Sequence, residues 1–218
     1  MFEEVFSALS VGFLKTLEIF AFTLVGAVPL GLVICAGSMS SFKPLSKLVR
    51  AIVTVVRGTP LMLQLLVIFY GPGLIFGNNL WGGDDAGRMA ANIVAFVFNY
   101  ACYFSEIYRG GIESIDPGQY EAASVLGLGK RRTFFYVILP QVFKRILPSM
   151  GNEVITLVKD TSLARVISVY EIMYVGQSFI KSRGIIWPLF FTGVFYLAFS
   201  AIVAAVLRKI EKSLYYFH

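Results

Sequence analysis

Five long apolar stretches, at about 12–37, 50–76, 89–109, 140–168 and 185–208, occupy most of this 218-residue chain. A bilayer span needs about 20 mostly apolar residues, so each stretch is long enough to cross. The third and fifth are the cleanest and the fourth is the most polar. The chain therefore reads as one domain, 1–218, of an all-α integral membrane protein with about five transmembrane helices. Composition agrees: 57% of residues are hydrophobic and 15% charged, with a mean hydropathy of +0.74, outside the usual range of a soluble domain. Cys35 and Cys102 both fall in apolar stretches and read as small buried hydrophobes rather than a disulfide framework. Glu3 and Glu4, not a basic segment, precede the first apolar run, which speaks against a cleavable signal peptide.

The net charge of +6 does not point to nucleic acid, because the basic residues lie between apolar stretches instead of forming a solvated patch. Cytoplasmic loops carry an excess of Lys and Arg. Lys43, Lys47 and Arg50 lie between or at the edge of the first two stretches. Lys130, Arg131, Arg132, Lys144 and Arg145 lie between the third and fourth or just inside the fourth, and Arg208, Lys209 and Lys212 follow the fifth. The other side has Arg88 facing Asp84 and Asp85, then Arg165, Lys181 and Arg183, and begins with Glu3 and Glu4. This bias predicts an outer N-terminus and an inner C-terminus. The segment from Gly71-Pro72-Gly73 to Gly82-Gly83 is a turn-rich outer connection. Trp81 and Trp187 suit either an interfacial belt or packing. No internal repeat is visible, so an inverted-repeat secondary transporter gains no support.

One polar loop, at about 116–133, interrupts the apolar pattern. Asp116 is a helix N-cap with Pro117 at the first helical position. A short helix over 119–126 should end at Gly127 in a left-handed cap, and a second short helix should lead into Phe134-Phe135-Tyr136. Periodicity leaves two readings open: an interfacial helix lying on the membrane, or a small-residue helix that inserts into another protein's groove, with Glu121 at the rim.

The residues of this loop carry a resemblance. Glu121-Ala122-Ala123, then Gly127, then Val137-x-Leu139-Pro140 resembles the EAA motif of ABC importer permeases, with Val137 in place of the family's isoleucine. The resemblance implies the type I importer transmembrane fold, with Glu121, Ala122, Ala123, Gly127, Leu139 and Pro140 in a coupling loop that docks on a nucleotide-binding subunit. Three further segments resemble one branch, the polar amino acid permeases: Arg57-Gly-Thr-Pro-Leu-Met-Leu-Gln64, Tyr103-x-x-Glu106-Ile-Tyr-Arg109-Gly-Gly-Ile-Glu113, and Lys159-Asp160-Thr-Ser-Leu-Ala164. The resemblance extends over about the whole chain. The implied partners are two ATPase subunits that bind ATP and Mg, a second copy of this chain or a related permease, an extracytoplasmic amino-acid-binding protein and the lipid bilayer. The implied location is a prokaryotic cytoplasmic (inner) membrane.

The chain is not expected to hydrolyse ATP or to bind a cofactor or metal itself. A Walker A loop needs Gly, four residues, then Gly-Lys-Ser/Thr, and the nearest match, Gly129-Lys130-Arg131, has Ser124 where the first glycine belongs. The only histidine is His218, and no residues have metal-ligand or nucleophile-base spacing.

Ionisable residues inside membrane spans are costly and are functional candidates. Glu153 and Asp160 stand seven residues apart, which on a helix returns to one face about 10 Å along the axis. Thr156 shares that stripe and Asn152 lies beside it. Every amino acid carries an ammonium group, and two carboxylates favour a basic side chain such as that of arginine, lysine or histidine. Asp160 has two other readings: a cap for the segment starting at Thr161, or a partner of Lys159 or Arg165. Arg57 offers donors to a substrate carboxylate, and equally pairs with Glu18 or Glu106 or snorkels to the interface. Gln64 and Asn99 are polar positions in apolar runs, suited to substrate or to interhelical hydrogen bonds. Glu106 points to pairing with Arg109 or Arg57, and Lys15 to pairing with Glu18. The expected function is import of a polar, preferably basic, amino acid by alternating access, driven by a separate ATPase. The alternatives are an ion-gradient-driven secondary transporter and a structural membrane subunit with no path of its own.

Overall fold

The computed structural model describes residues 2–214; His218 lies outside the described residues. All of the regular structure there is helical. The first element, α1 (Phe2–Ser38), is followed by α2 (Lys43–Gly58) and α3 (Leu61–Phe76). The corner between α1 and α2 is tied by Ser46 Oγ and Arg50 Nε, which both donate to the Ser38 carbonyl at 2.6 and 3.0 Å.

The second expected span, 50–76, is a bent pair. Pro60 has no N–H and pushes the residue before it into extended backbone; Thr59 has φ −117° and ψ 147°, and α3 leaves α2 at 107°. Such a break frees carbonyls that lipid cannot satisfy. Gln64 satisfies them: its Nε2 donates to Val56 O (2.7 Å) and Thr59 O (3.1 Å), and also to Thr59 Oγ1 (2.8 Å).

The long helix α4 (Asp85–Glu113) starts at an Asp84 N-cap that accepts from Gly87 N and runs through the middle of the molecule. Small residues let α1 approach it closely, as membrane helices without a hydrophobic drive between them require. A Cβ at Gly26 would strike Val97, and one at Gly31 would lie 3.0 Å from Phe104 Cβ. Because these contacts advance together along both helices, α1 and α4 run side by side in the same direction. The main core lies where α1, α3 and α4 meet the residues that follow, with Ile19, Leu65, Phe96, Phe104, Leu157 and Ile167 fully buried.

After α4 come α5 (Pro117–Val125), the single turn α6 (Lys130–Arg132), a π-helical turn at Thr133–Ile138, and α7 (Leu139–Asp160). The fourth expected span, 140–168, ends at Asp160. Residues Thr161–Ile167 tighten into a 3-10 segment that closes on Ser168 in left-handed backbone, φ 61°. Then α8 (Ile172–Arg183) is capped by the buried Glu171, whose carboxylate accepts from Met173 N and Tyr174 N at 2.7 Å each. The last helix is α9 (Trp187–Leu214); its upper half joins α8 and the start of α1 in a second, aromatic cluster.

Among the described residues, α1, α4 and α9 are long and apolar enough to cross a membrane, and α2–α3 makes a fourth if counted as one broken span. Length and composition alone thus identify three or four of the expected five. With 22 residues, α7 is long enough, but Lys144, Arg145, Glu153, Lys159 and Asp160 make it too polar to face lipid unaided. Trp81 is held by packing and by its Nε1 donating to Ile68 O at 2.7 Å. Cys35 and Cys102 are free and buried, as composition implies.

Candidate functional site

Two places gather the polar side chains singled out above. The first is a cavity of about 380 Å³ between the α2–α3 bend, α4 and the far end of α7. From α7 it receives Glu153, Thr156 and Asp160, so the i, i+3, i+7 stripe does open on one space. Asn99 comes from α4, while Thr59, Pro60 and Leu61 form the wall at the bend. Tyr100 and Tyr103 of α4 complete it.

Within this cavity Asp160 accepts a hydrogen bond from Tyr100 Oη at 2.7 Å. It makes no side-chain cap to the 3-10 segment that follows, and no ion pair with Lys159 or Arg165 is formed among the described residues. Glu153 is half-buried and makes neither a hydrogen bond nor an ion pair among the described residues. Two carboxylates therefore face one cavity without a cation in contact. Burying such charges unpaired is costly, which makes the space chemically ready for a cation.

The other candidates flank it. Gln64 is committed to the bend and to Asn99, whose Nδ2 donates to Gln64 Oε1 at 3.0 Å, so it stands one contact behind the wall. Asn152 is exposed and outside the lining residues. Arg57, in the last turn of α2, lies with its guanidinium 5.1 Å above the Tyr103 ring and 3.6 Å from Glu106 Oε2. Glu106 is itself gripped by Arg109, whose Nε and Nη2 donate at 3.0 and 2.7 Å. Arg109 also pairs with Glu113 at 2.6 Å. Lys15 pairs with Glu18 at 2.7 Å, as their spacing predicts.

Sequence reasoning missed Tyr100 and the Thr59–Leu61 wall. The signal for the wall was present, since Thr59-Pro60 marks a helix break. Nothing local marks Tyr100, which stands sixty positions from the carboxylate it binds.

The second place is the loop around α5. Asp116 caps the helix by accepting from Gly118 N at 2.6 Å, with Pro117 in the first turn. At the other end Leu128 N donates to Ala123 O and Gly127 N to Ser124 O, while Gly127 has φ 72°. This is the Schellman arrangement that a C′ glycine favours. The loop is pinned to the helices behind it: Gln141 Nε2 donates to Gln119 Oε1 at 3.2 Å, and Arg145 to the Ser114 carbonyl. Ala123 is buried against its own chain, whereas Glu121 and Ala122 face outward. Beside them Val125 and Leu126 are 88% and 77% exposed, and Tyr136 of the π-helical turn is 79% exposed. Leu139 and Pro140 begin α7 directly behind that turn. Large apolar side chains held out on a rigid, capped helix suit burial against another protein.

Comparison with known proteins bears on both places. The model of the family described as "binding-protein-dependent transport system inner membrane component" matches residues 27–215. The arginine transport system permease protein ArtQ of Bacillus subtilis (strain 168) is 33% identical over 205 residues, spanning 93% of this chain and 90% of that protein. The glutamine transport system permease protein GlnP of Escherichia coli (strain K12) is 37% identical over 163 residues, spanning 73% and 71%. Among solved structures, an amino acid ABC transporter crystallised with histidines superposes with a TM-score of 0.88 at 30% identity, over 97% of this chain and 96% of that one.

Proposed function

This chain belongs to the family of binding-protein-dependent transport system inner membrane components, and from that premise we propose that it carries basic amino acids inward by alternating access. It is the membrane-spanning permease of an ABC importer for amino acids, and the ATPase activity lies in a separate subunit. The gradient-driven alternative gains nothing from these relatives. The observation that carries the basic preference is the pair Glu153 and Asp160, two carboxylates opening on one cavity with no cation in contact.

In this reading Glu153 and Asp160 take the substrate's two cationic groups, and Thr156 and Asn99 offer neutral hydrogen bonds to the rest of it. Tyr100 orients Asp160. Two ATPase subunits, with ATP and Mg, dock on the outward face of α5 in this chain and in a second permease, identical or related. Closure of the ATPase pair draws the two Glu121–Gly127 loops together and opens the opposite side of the membrane. A loaded binding protein then releases its amino acid into the cavity, and hydrolysis returns the pair to the inward-facing state. The α5 end lies in the cytoplasm and the N-terminus outside, in keeping with the Lys130–Arg132 cluster beside α5.

The test is uptake into proteoliposomes holding this permease, its ATPase and its binding protein, with arginine, lysine, histidine, glutamine and glutamate compared in parallel. We expect ATP-dependent uptake led by a basic amino acid, and a loss of roughly 30-fold or more in Glu153→Gln. Removing one member of a buried charge pair costs about 2–5 kcal/mol. Uptake led by glutamine or glutamate would remove the basic preference, and uptake that follows an ion gradient but ignores ATP would remove the mechanism.

A further inference from the structure

Arg57 is a loosely held cation beside the cavity. Its one ion pair among the described residues, to Glu106, is long at 3.6 Å. Glu106 does not need it: Arg109 already occupies both carboxylate oxygens at 3.0 and 2.7 Å. Withdrawing Arg57 therefore leaves no unpaired charge behind. The side chain is 42% exposed, so it has room to turn. It also stands at the last turn of α2, two residues before the Thr59–Pro60 wall of the cavity.

The surface it rests on leads inward. Tyr103 carries the Arg57 guanidinium over its ring at 5.1 Å, and the same Tyr103 lines the cavity with Glu153. A guanidinium is held over an aromatic face by a weak, poorly directional attraction, so it can slide across the ring without first becoming fully solvated. Glu153 lines that same cavity, a half-buried carboxylate with no hydrogen bond or ion pair among the described residues. One site thus has a carboxylate with no ion pair, the other has a cation surplus to its carboxylate, and Tyr103 borders both.

We propose that Arg57 is a tethered counter-ion that moves across Tyr103 between Glu106 and Glu153, filling the acidic cavity when it is empty and yielding to a cationic substrate. The consequence is specificity by self-competition. A basic amino acid replaces the guanidinium charge for charge and sends Arg57 back to Glu106. A neutral amino acid has no side-chain cation to offer Glu153 and leaves Arg57 in place. This inference rests on the reading of Glu153 as a substrate contact.

The experiment is equilibrium binding of radiolabelled arginine to the detergent-solubilised permease–ATPase complex, for wild type, Arg57→Gln, Arg57→Lys, Glu106→Gln and Glu153→Gln. Removing the competitor in Arg57→Gln should tighten arginine binding about ten-fold, and Arg57→Lys should return it toward the wild-type value. Glu106→Gln takes away the alternative partner, sends Arg57 to the cavity and should weaken arginine several-fold. Binding unchanged or weakened in Arg57→Gln overturns the proposal, and a weakening would make Arg57 a substrate ligand instead. Glu153→Gln separates the two claims. If it binds arginine as wild type does, the site itself is misassigned. If it loses binding while Arg57→Gln gains none, the site stands and the tethered counter-ion falls.

Discussion

The acidic cavity and the α5 loop are both polar interruptions of an apolar chain, yet they are built on opposite principles. The cavity is assembled from elements far apart in sequence: the bend at Thr59–Pro60, Asn99 and Tyr100 on α4, and Glu153 and Asp160 on α7. Its groups turn inward, and the bracing around them, from Gln64 to Asn99 and from Tyr100 to Asp160, is supplied by other helices. The loop is local. Its start is set by Asp116 and Pro117 and its end by Gly127, all within a dozen residues, and its apolar side chains point out. A place that holds a small polar ligand must draw donors from several directions, whereas a place that docks on a protein needs one rigid face and can be made from a single short helix.

That contrast predicts that damage to the loop leaves ligand binding intact, and that damage to the cavity leaves the docking of the ATPase intact. The largest effect is expected for Leu126→Asp. Its side chain touches little of its own chain, so the permease's own stability should move by less than about 0.5 kcal/mol. A charge at an apolar interface anchor costs about 2 kcal/mol or more, so ATP-driven uptake should fall about 30-fold. Co-purification of the ATPase and a thermal melt read the two quantities separately, and a normal ATPase complex with normal uptake would show that α5 does not dock.

A smaller effect is expected for Tyr100→Phe. A hydrogen bond to a charged group contributes about 1.5–3 kcal/mol, and without it Asp160 loses its orientation toward the cavity. Arginine affinity should weaken about ten-fold, with no change in the amount of ATPase that co-purifies. Unaltered affinity would show that Asp160 does not meet the substrate.

Gly127→Ala should have the smallest effect. Nothing lies within 4 Å of a Cβ placed there, so only the positive φ is opposed, at about 1–2 kcal/mol. Uptake should drop by roughly five-fold while arginine binding holds. Gly127→Asn should be milder, because asparagine tolerates left-handed backbone. Equal defects in both variants would mean that bulk at the ATPase contact, rather than backbone conformation, is what glycine avoids.

Much of the loop was legible residue by residue, because caps and left-handed glycines are decided by atoms a few positions apart. The cavity was legible only in part. The seven-residue spacing placed Glu153 and Asp160 on one face, and that face does line the cavity. The spacing said nothing of what stood opposite, so Gln64 and Asn99 stood as substrate candidates, and the structure finds Gln64 bound to the carbonyls of the bend. The same apolar run, 50–76, concealed the bend itself: hydropathy averages over direction, and a proline inside a membrane stretch does not declare whether the helix kinks or turns through 107°.

What the sequence by itself determined is the environment, the all-helical build, the family and the geometry of the α5 loop, since each follows from composition or from interactions within a few residues. What only the tertiary structure decided is which polar groups satisfy one another and which are left over. Gln64 is spent on the bend, Asp160 is held by Tyr100, Glu106 is held by Arg109, and Glu153 makes no hydrogen bond or ion pair among the described residues. That division depends on contacts between helices up to sixty residues apart, where desolvation makes every buried polar group either find a partner or remain available for one.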